Sequence, residues 1–340
     1  MKIVEVRAVQ PETPDAPPDW RTWMGQILIR VDTDDGHTGY GVGGGGQAGI
    51  HVVHTALKTL LLGQDASAVE SIWQRMYQAT LPYGQKGLAL MAISGVDLAL
   101  WDLRGKRVGQ PLTVILGGQT GRAIPCYKTG WTSEDVVRGA DEGFQAVKLQ
   151  VGKLDATAAI RQIKHIRDLL GPDIRLMTDA FMQWDVETAI RAAGGFAPYQ
   201  VSWLEEPLPL DDLGGYERLQ RESPIPIAGG EHEYTAAAFD MWMQRRLHTI
   251  VQPDVCWCGG LTELIKIYHM AEQYGINVCP HRGSEVWALH AIAALDPEPL
   301  AESGRPWITW VEGQPMIQNG FVRLDDRPGF GVTFNEQLWQ

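Results

Sequence analysis

Apolar positions along the chain follow two regimes. Over residues 2 to 9 they alternate with polar ones, the period of a half-buried strand. Gln26 to Asp32 and Thr38 to Val42 repeat that period around Asp34-Asp35-Gly36, a hairpin signal. The Pro-rich stretch Pro11 to Pro18 reads as a loop, with Trp20, Arg21 and Trp23 behind it. Helical spacing takes over at about Ile50 to Leu62, at Ala66 to Tyr77, and most strongly over residues 87 to 107, where Leu90, Ile93, Val96, Asp97, Leu100, Trp101 and Leu103 mark a core-packing helix. After Ile124 short apolar runs alternate with amphipathic helices: Ala146 to Gln150, Ala158 to Leu170, Ile174 to Asp179, Val186 to Gly194, Val201 to Glu205, and onward through Ile225 to Glu231, Thr249 to Asp254 and Asn277 to His281. Such βα repetition predicts a parallel barrel with right-handed crossovers. The tail from about Gly313 returns to strand and turn signals and is expected to rejoin the N-terminal part. The predicted division is an α+β domain over 1–123, a barrel over 124–312 and a C-terminal segment over 313–340.

The ends of the apolar runs carry the candidate chemistry. Asp179, Glu205 and Glu231 each close one run, and they are spaced 26 residues apart, the length of one strand, one helix and two loops. In chain order the strand ends present Lys148, Asp179, Glu205, Glu231, Asp254, His281 and Glu302. Barrel enzymes place their reacting groups at the C-terminal ends of the strands. Each acid alone could cap the helix that follows it. Three carboxylates on one rim, however, would repel one another and hold protons unless a cation joined them. Hard oxygen donors with room left for water and substrate point to Mg²⁺. Zinc would need sulfur and imidazole donors, and Cys256-Trp257-Cys258 has no second cysteine pair at zinc-site spacing. On the next two strands, Asp254 beside His281 would fix the imidazole tautomer and raise its pKa, giving a group that takes and returns a proton.

Composition narrows the partners. At 340 residues, 44% hydrophobic and 21% charged, the chain has core enough for a large α/β domain and a smaller one without staples. A net charge of −12 argues against a nucleic acid or an anionic membrane as partner. An anionic substrate would then need a local cation. Cys126, Cys256, Cys258 and Cys279 form no disulfide framework, and the N-terminus shows no cleavage signal, so a reducing cytoplasm is expected. Gly41, Gly43 and Gly46 have the spacing of a dinucleotide fingerprint, but the strand before them belongs to a hairpin and Asp65 opens a helical segment. A flexible glycine loop is the reading.

Taken together, these residues resemble the enolase superfamily in its mandelate racemase subgroup. The resemblance is carried by the helix from Ile93 to Asp102, Glu205 within WLEEP, Glu231 within GGEH, QPD ending in Asp254, and His281. It implies an α+β capping domain over a modified (β/α)₇β barrel, with Asp179, Glu205 and Glu231 as Mg²⁺ ligands. It further implies Asp254 and His281 as the proton-carrying dyad, Glu302 as a protonated hydrogen-bond donor to the intermediate, and a symmetric homo-oligomer. One departure matters. Where the subgroup's racemases carry Lys-x-Lys, this chain has Lys148-Leu149-Gln150, and a glutamine cannot serve as the second base that racemisation needs.

Within the subgroup the sequence is most similar to acid-sugar dehydratases of the rhamnonate type, through TLPYGQKGLALMAISGVDLALWDL, QPDVCWCGGLTE and DRPGFGV. The expected reaction is Mg²⁺-dependent dehydration of an L-rhamnonate-like aldonate to its 2-keto-3-deoxy acid, by α-proton abstraction and loss of the 3-hydroxyl. The alternatives are another aldonate or an aldarate as substrate, or an inactive sugar-acid-binding protein of the same fold. Lys148 and Gln150 are expected on the substrate side. So is Arg282, which stands where those enzymes have a small residue and could hold a distal hydroxyl or a second carboxylate. The resemblance makes the loops Pro14 to Gly25 and Gly41 to Gly49 a lid, with Trp20, Arg21 and Trp23 covering the pocket.

Overall fold

The alternating N-terminal stretches form a three-stranded antiparallel sheet in the computed structural model, which describes residues 1–13, 19–304 and 309–339; most of the expected Pro-rich loop, 14–18, lies outside them. Its strands β1 (Ile3–Val9), β2 (Ile27–Thr33) and β3 (Thr38–Gly43) lie in that order. Between β1 and β2 sits the single turn α1 (Trp20–Trp23), capped by Asp19, whose carboxylate accepts the Arg21 N–H at 2.9 Å. The long helix α2 (Leu88–Val108) is apolar almost all round and buried along most of its length, as an all-apolar helix must be.

The glycine spacing finds its explanation where β3 crosses α2. A Cβ on Gly41 would stand 2.1 Å from the carbonyl oxygen of Gly95, and one on Gly39 2.1 Å from that of Ala99. Alternate glycines let strand backbone touch helix backbone, and the cluster ends by opening the helix Gly46–Val52 rather than forming an extended loop. The helix expected from about Ile50 thus starts earlier and continues through a π turn over Val53–Leu57. The next, expected at Ala66 to Tyr77, runs from Val69 to Thr80.

The repeating part is a curled parallel sheet of β4 (Ile124–Gly130), β5 (Ala146–Gln150), β6 (Arg175–Asp179), β7 (Val201–Glu205), β8 (Ile227–Gly229), β9 (Ile250–Val251), β10 (Asn277–Val278) and β11 (Ala301–Glu302). They are ordered β10-β9-β8-β7-β6-β5-β4-β11, with one helix in each interval. The two edges approach each other: the Cys279 thiol lies 3.4 Å from the Leu300 carbonyl, and Ser284 N–H donates to the Glu302 carbonyl at 2.9 Å. This is the (β/α)₇β barrel with an antiparallel-sheet capping domain that the sequence predicts. Tyr127, Met177, Trp203 and Ile250 fill its interior. Register places Gln150 opposite Asp179, and Asp179 opposite Glu205. Toward the C-terminal rim β9 and β10 are shorter than expected, because the chain leaves the ladder before Asp254 and His281.

Helix α2 fastens the loop that follows β9. Asp97 accepts the Thr262 N–H at 3.0 Å and the Thr262 hydroxyl at 2.6 Å, and the Ser94 hydroxyl accepts the Gly259 N–H at 2.9 Å. The C-terminal segment divides its contacts: Phe321–Val322 pairs with β4, while the Phe334 ring lies 4.9 Å from that of Tyr40. Asp102 ties three parts of the chain, accepting the Tyr40 N–H at 2.9 Å, the Phe330 N–H at 3.0 Å and the Lys106 ammonium at 2.6 Å, all while fully buried. Asp102→Ala strands two buried N–H donors and is expected to destabilise the fold by roughly 2–4 kcal/mol. Urea unfolding measures it, and a loss below about 1 kcal/mol would refute the assignment of that tie. Among the described residues no helix is long and apolar enough to cross a membrane.

Candidate active site

The C-terminal ends of the strands open into a cavity of about 420 Å³, lined from the barrel by Lys148, Gln150, Asp179, Glu231, His281, Arg282 and Glu302, and from α1 by Trp20 and Arg21. Trp20 reaches it against Trp257, ring centroids 6.0 Å apart, whereas Trp23 is 66% exposed and lies outside the lining. Glu205 and Asp254 sit one layer back, under Lys148 and behind His281. The sequence-predicted residues therefore gather at one place, with two of them covered by others.

The acids are crowded. Asp179 accepts the Phe181 N–H at 2.8 Å and the Gln150 amide at 2.6 Å. Glu205 accepts the Lys148 ammonium at 2.6 Å, the Gln252 amide at 2.7 Å and the Trp203 indole N–H at 3.2 Å. Burial, with the charges of Glu231 and Glu206, pushes Asp179 up to about 6 despite Lys148. Burial and the charges of Asp179, Glu302 and Glu231 carry Glu205 well above the usual carboxylate range, again against Lys148. Lys148 is buried among Glu205, Glu302 at 3.0 Å and Asp179 at 3.7 Å. Its ammonium already serves protein carboxylates, where the sequence placed it on the substrate side.

A second group lies alongside. His232 Nδ1 is 2.7 Å from Glu206 and 3.5 Å from Glu231, and the Gly230 N–H donates to Glu206 at 3.0 Å. Ligand atoms of Glu206, Glu231 and His232 lie within 4.8 Å of one another, so this group too could hold an ion. Burial alone would lower the His232 pKa, but Glu231 and Glu206 raise it to about 9, so His232 itself supplies positive charge there. Asp179, Glu205 and Glu231 offer oxygen donors alone, the kind a hard divalent cation takes, although among the described residues it is the Glu206, Glu231 and His232 atoms that converge within 4.8 Å. They stand at the ends of three neighbouring strands, and burial, helped by the charges of neighbouring carboxylates, drives Asp179 and Glu205 toward protonation, a cost that a cation would offset.

On the other side stands His281. Its Nδ1 is 2.9 Å from Asp254 Oδ2, and its Nε2 is 3.0 Å from Glu231 and 3.9 Å from Glu302. Burial disfavours the imidazolium, yet the charge of Glu231 and the hydrogen bonds to Asp254 and Glu231 raise its pKa to about 10. Asp254 is held below the usual carboxylate range: Arg282 and His281 outweigh burial. An Asp on Nδ1 leaves Nε2 as the atom that can exchange a proton with a substrate.

Glu302 differs from expectation. Burial would raise its pKa, but Lys148, His281, the Arg282 N–H at 2.9 Å and the Thr129 hydroxyl bring it below the ordinary glutamate value. It is an ionised acceptor here and not the protonated donor. Arg282 also differs. It is 3% exposed, with Nη2 at 2.8 Å from Asp254 and Nη1 at 3.0 Å from Glu285, so no distal hydroxyl or second carboxylate is needed to match its charge. Sequence reasoning gave no part to Glu206, His232, Thr129 or Gln252. The first two stand within the WLEEP and GGEH motifs, and the signal was their position beside a candidate ligand. Glu206, Phe181, Met182 and Arg282, each just past a strand end, take positive φ of 34°, 48°, 60° and 52°, the backbone strain that collects at functional rims.

Comparison with known proteins agrees with this geometry. Residues 131–338 match the enolase C-terminal domain-like family, and residues 4–117 match the N-terminal domain of mandelate racemase / muconate lactonizing enzyme. The chain belongs to this branch of the enolase superfamily. A curated relative, L-rhamnonate dehydratase of Saccharopolyspora erythraea, is 38% identical over 333 residues, covering 93% of this chain and 84% of that protein. Among solved structures, the 3,6-anhydro-D-galactonate cycloisomerase from Zobellia galactanivorans superposes with a TM-score of 0.90 at 32% identity, over 100% of this chain and 99% of the other. A racemase from Streptomyces coelicolor with bound magnesium gives 0.88 at 34% identity, over 99% of each chain.

Proposed function

We propose that the protein is a hydro-lyase that dehydrates a sugar acid, an L-rhamnonate-like aldonate, to the 2-keto-3-deoxy acid. The single observation that carries this reading is that the Asp254-held imidazole of His281 faces the cavity, while the place of a second base is taken by Gln150, whose amide is spent on Asp179. Similar folds here serve a cycloisomerase, a racemase and a dehydratase, so the local residues must decide the reaction. Gln150 counts against two-base racemisation. The L-rhamnonate dehydratase relative supports elimination.

Asp179, Glu205 and Glu231 would hold Mg²⁺, a pairing with a His base that is established in the superfamily. When bound, the ion would supply the positive charge that stabilises the developing anion on the substrate carboxylate and so acidifies the α-proton. The Glu231 charge that raises the imidazole to about 10 would be drawn to the cation, and His281, then neutral at Nε2, takes that proton while Asp254 keeps Nδ1–H in place. The electron pair of the C–H bond moves into the new C–C double bond as the bond to the 3-hydroxyl breaks. Protonated His281 returns its proton to the departing oxygen, which leaves as water, and the enol product tautomerises to the keto acid. Lys148 and the ionised Glu302 hold the electrostatic frame around the reacting carbon.

The cavity favours a monoacid. Among the described residues, each cation on its wall already faces a carboxylate: Arg21 faces Asp19, Lys128 faces Glu142, Lys148 faces Glu205, and Arg282 faces Asp254. A second substrate carboxylate would be buried without a matching charge. A library of mono- and diacid sugars with Mg²⁺, read by a 2-keto-acid assay, is expected to respond to aldonates with L-rhamnonate among them. Response to aldarates alone would overturn the substrate class, and no response with metal bound would favour a binding protein.

The pH dependence of metal binding follows from Asp179. Held at about 6, it takes up a proton as the pH falls through that value, and the protonated acid no longer offers its charge to a cation. Calorimetric Mg²⁺ affinity is therefore expected to weaken by about fourfold between pH 7.5 and pH 5.5, as Asp179 goes from almost fully ionised to about one-quarter ionised. Constant affinity over that range would count against Asp179 as a ligand.

A further inference from the structure

Arg282 occupies a costly place. Its guanidinium is buried, which is unfavourable in the absence of opposite charge. Its backbone takes φ +52°, where glycine would be relaxed and any other residue is strained. The sequence nevertheless keeps a large charged side chain here, with Gly283 next to it. Both halves of the residue meet the acids that flank His281. The main-chain N–H, aimed by the left-handed backbone, donates to Glu302 Oε2 at 2.9 Å. The side chain donates through Nη2 at 2.8 Å and Nε at 3.3 Å to Asp254 Oδ2, the same oxygen that His281 Nδ1 meets at 2.9 Å. The other Asp254 oxygen accepts the Cys256 N–H at 2.8 Å, and Glu285 balances the guanidinium from its far side at 3.0 Å. Both oxygens of Asp254 are thus pinned, and with them the plane in which the imidazole is gripped.

We propose that Arg282 is a positioning residue, acting on His281 through Asp254 and Glu302, and not a substrate-binding residue. This rests on His281 being the base. Arg282→Gly is the informative variant: it tolerates φ +52°, keeps the N–H to Glu302 and removes the side chain with its guanidinium. Loss of a group that orients a catalytic side chain is expected to lower kcat by about 10- to 100-fold. KM should stay within about threefold, since no substrate contact is lost. Millimolar guanidinium chloride, against a sodium chloride control of equal ionic strength, should restore part of kcat. Arg282→Lys, which keeps a cation but cannot span both Asp254 and Glu285, should fall between wild type and Arg282→Gly in kcat.

A rise of KM by about tenfold or more with kcat unchanged in either variant would make Arg282 a substrate-binding residue. Unchanged kcat and KM in both would make it a spectator. His281→Asn assayed in parallel separates the two levels. If His281→Asn retains activity, the base assignment fails. If it is inactive while Arg282→Gly behaves as wild type, only the positioning role fails.

Discussion

His281→Asn is expected to lower kcat for dehydration by about 10²–10⁴-fold, the usual worth of a general acid–base group, while leaving the fold and Mg²⁺ binding in place. Asparagine can keep a hydrogen bond toward Asp254 but offers no atom that titrates, so it can neither take the α-proton nor return one to the leaving hydroxyl. The loss should be confined to kcat, because the imidazole holds its place through protein partners, Asp254 at 2.9 Å and Glu231 at 3.0 Å. Steady-state rates of keto-acid formation, with Mg²⁺ saturation checked by calorimetry, measure the effect. A variant that dehydrates at near wild-type rate would falsify the base assignment.

Glu205→Gln should be at least as damaging. Acid–base help accounts for only part of an enzyme's acceleration, and the remainder here must come from positive charge at the reacting carboxylate. Glu205 is a candidate metal ligand and also the nearest anion to the Lys148 ammonium, at 2.6 Å. Its oxygens further accept from Gln252 and Trp203. A glutamine removes the charge from both relations and turns an amide donor toward buried donors. Mg²⁺ affinity is expected to fall together with kcat, and raised Mg²⁺ should recover only part of the rate. A Glu205→Gln protein with unaltered Mg²⁺ affinity and a rate above that of His281→Asn would remove Glu205 from the ligand set.

The strand-end placement of these residues was readable in the sequence because the barrel converts spacing into geometry. Equal steps of 26 residues become equal height on one rim, and the Asp179–Glu205 register shows it directly. The helix α2 was equally plain, since its apolar pattern has no polar face to confuse it. What could not be read were relations set by three-dimensional neighbours. The glycines of β3 matched a nucleotide fingerprint because the same need, close backbone approach, serves a ligand in one fold and a packed helix in this one. Glu302 looked like an acid that would hold its proton. Its state is instead set by Lys148, Thr129 and the Arg282 N–H, which come from β5, β4 and the turn after β10. Arg282 read as a hand for the substrate, since nothing in the local sequence shows that its guanidinium turns back onto Asp254.

Proton NMR of the reaction in D₂O, with an accepted aldonate and Mg²⁺, follows the α-carbon itself. Elimination by His281 alone predicts conversion to the 2-keto-3-deoxy acid with no epimer at C2 at any time. Accumulation of the C2 epimer, with or without keto acid, would require a base on the face that Gln150 occupies and would contradict one-base elimination.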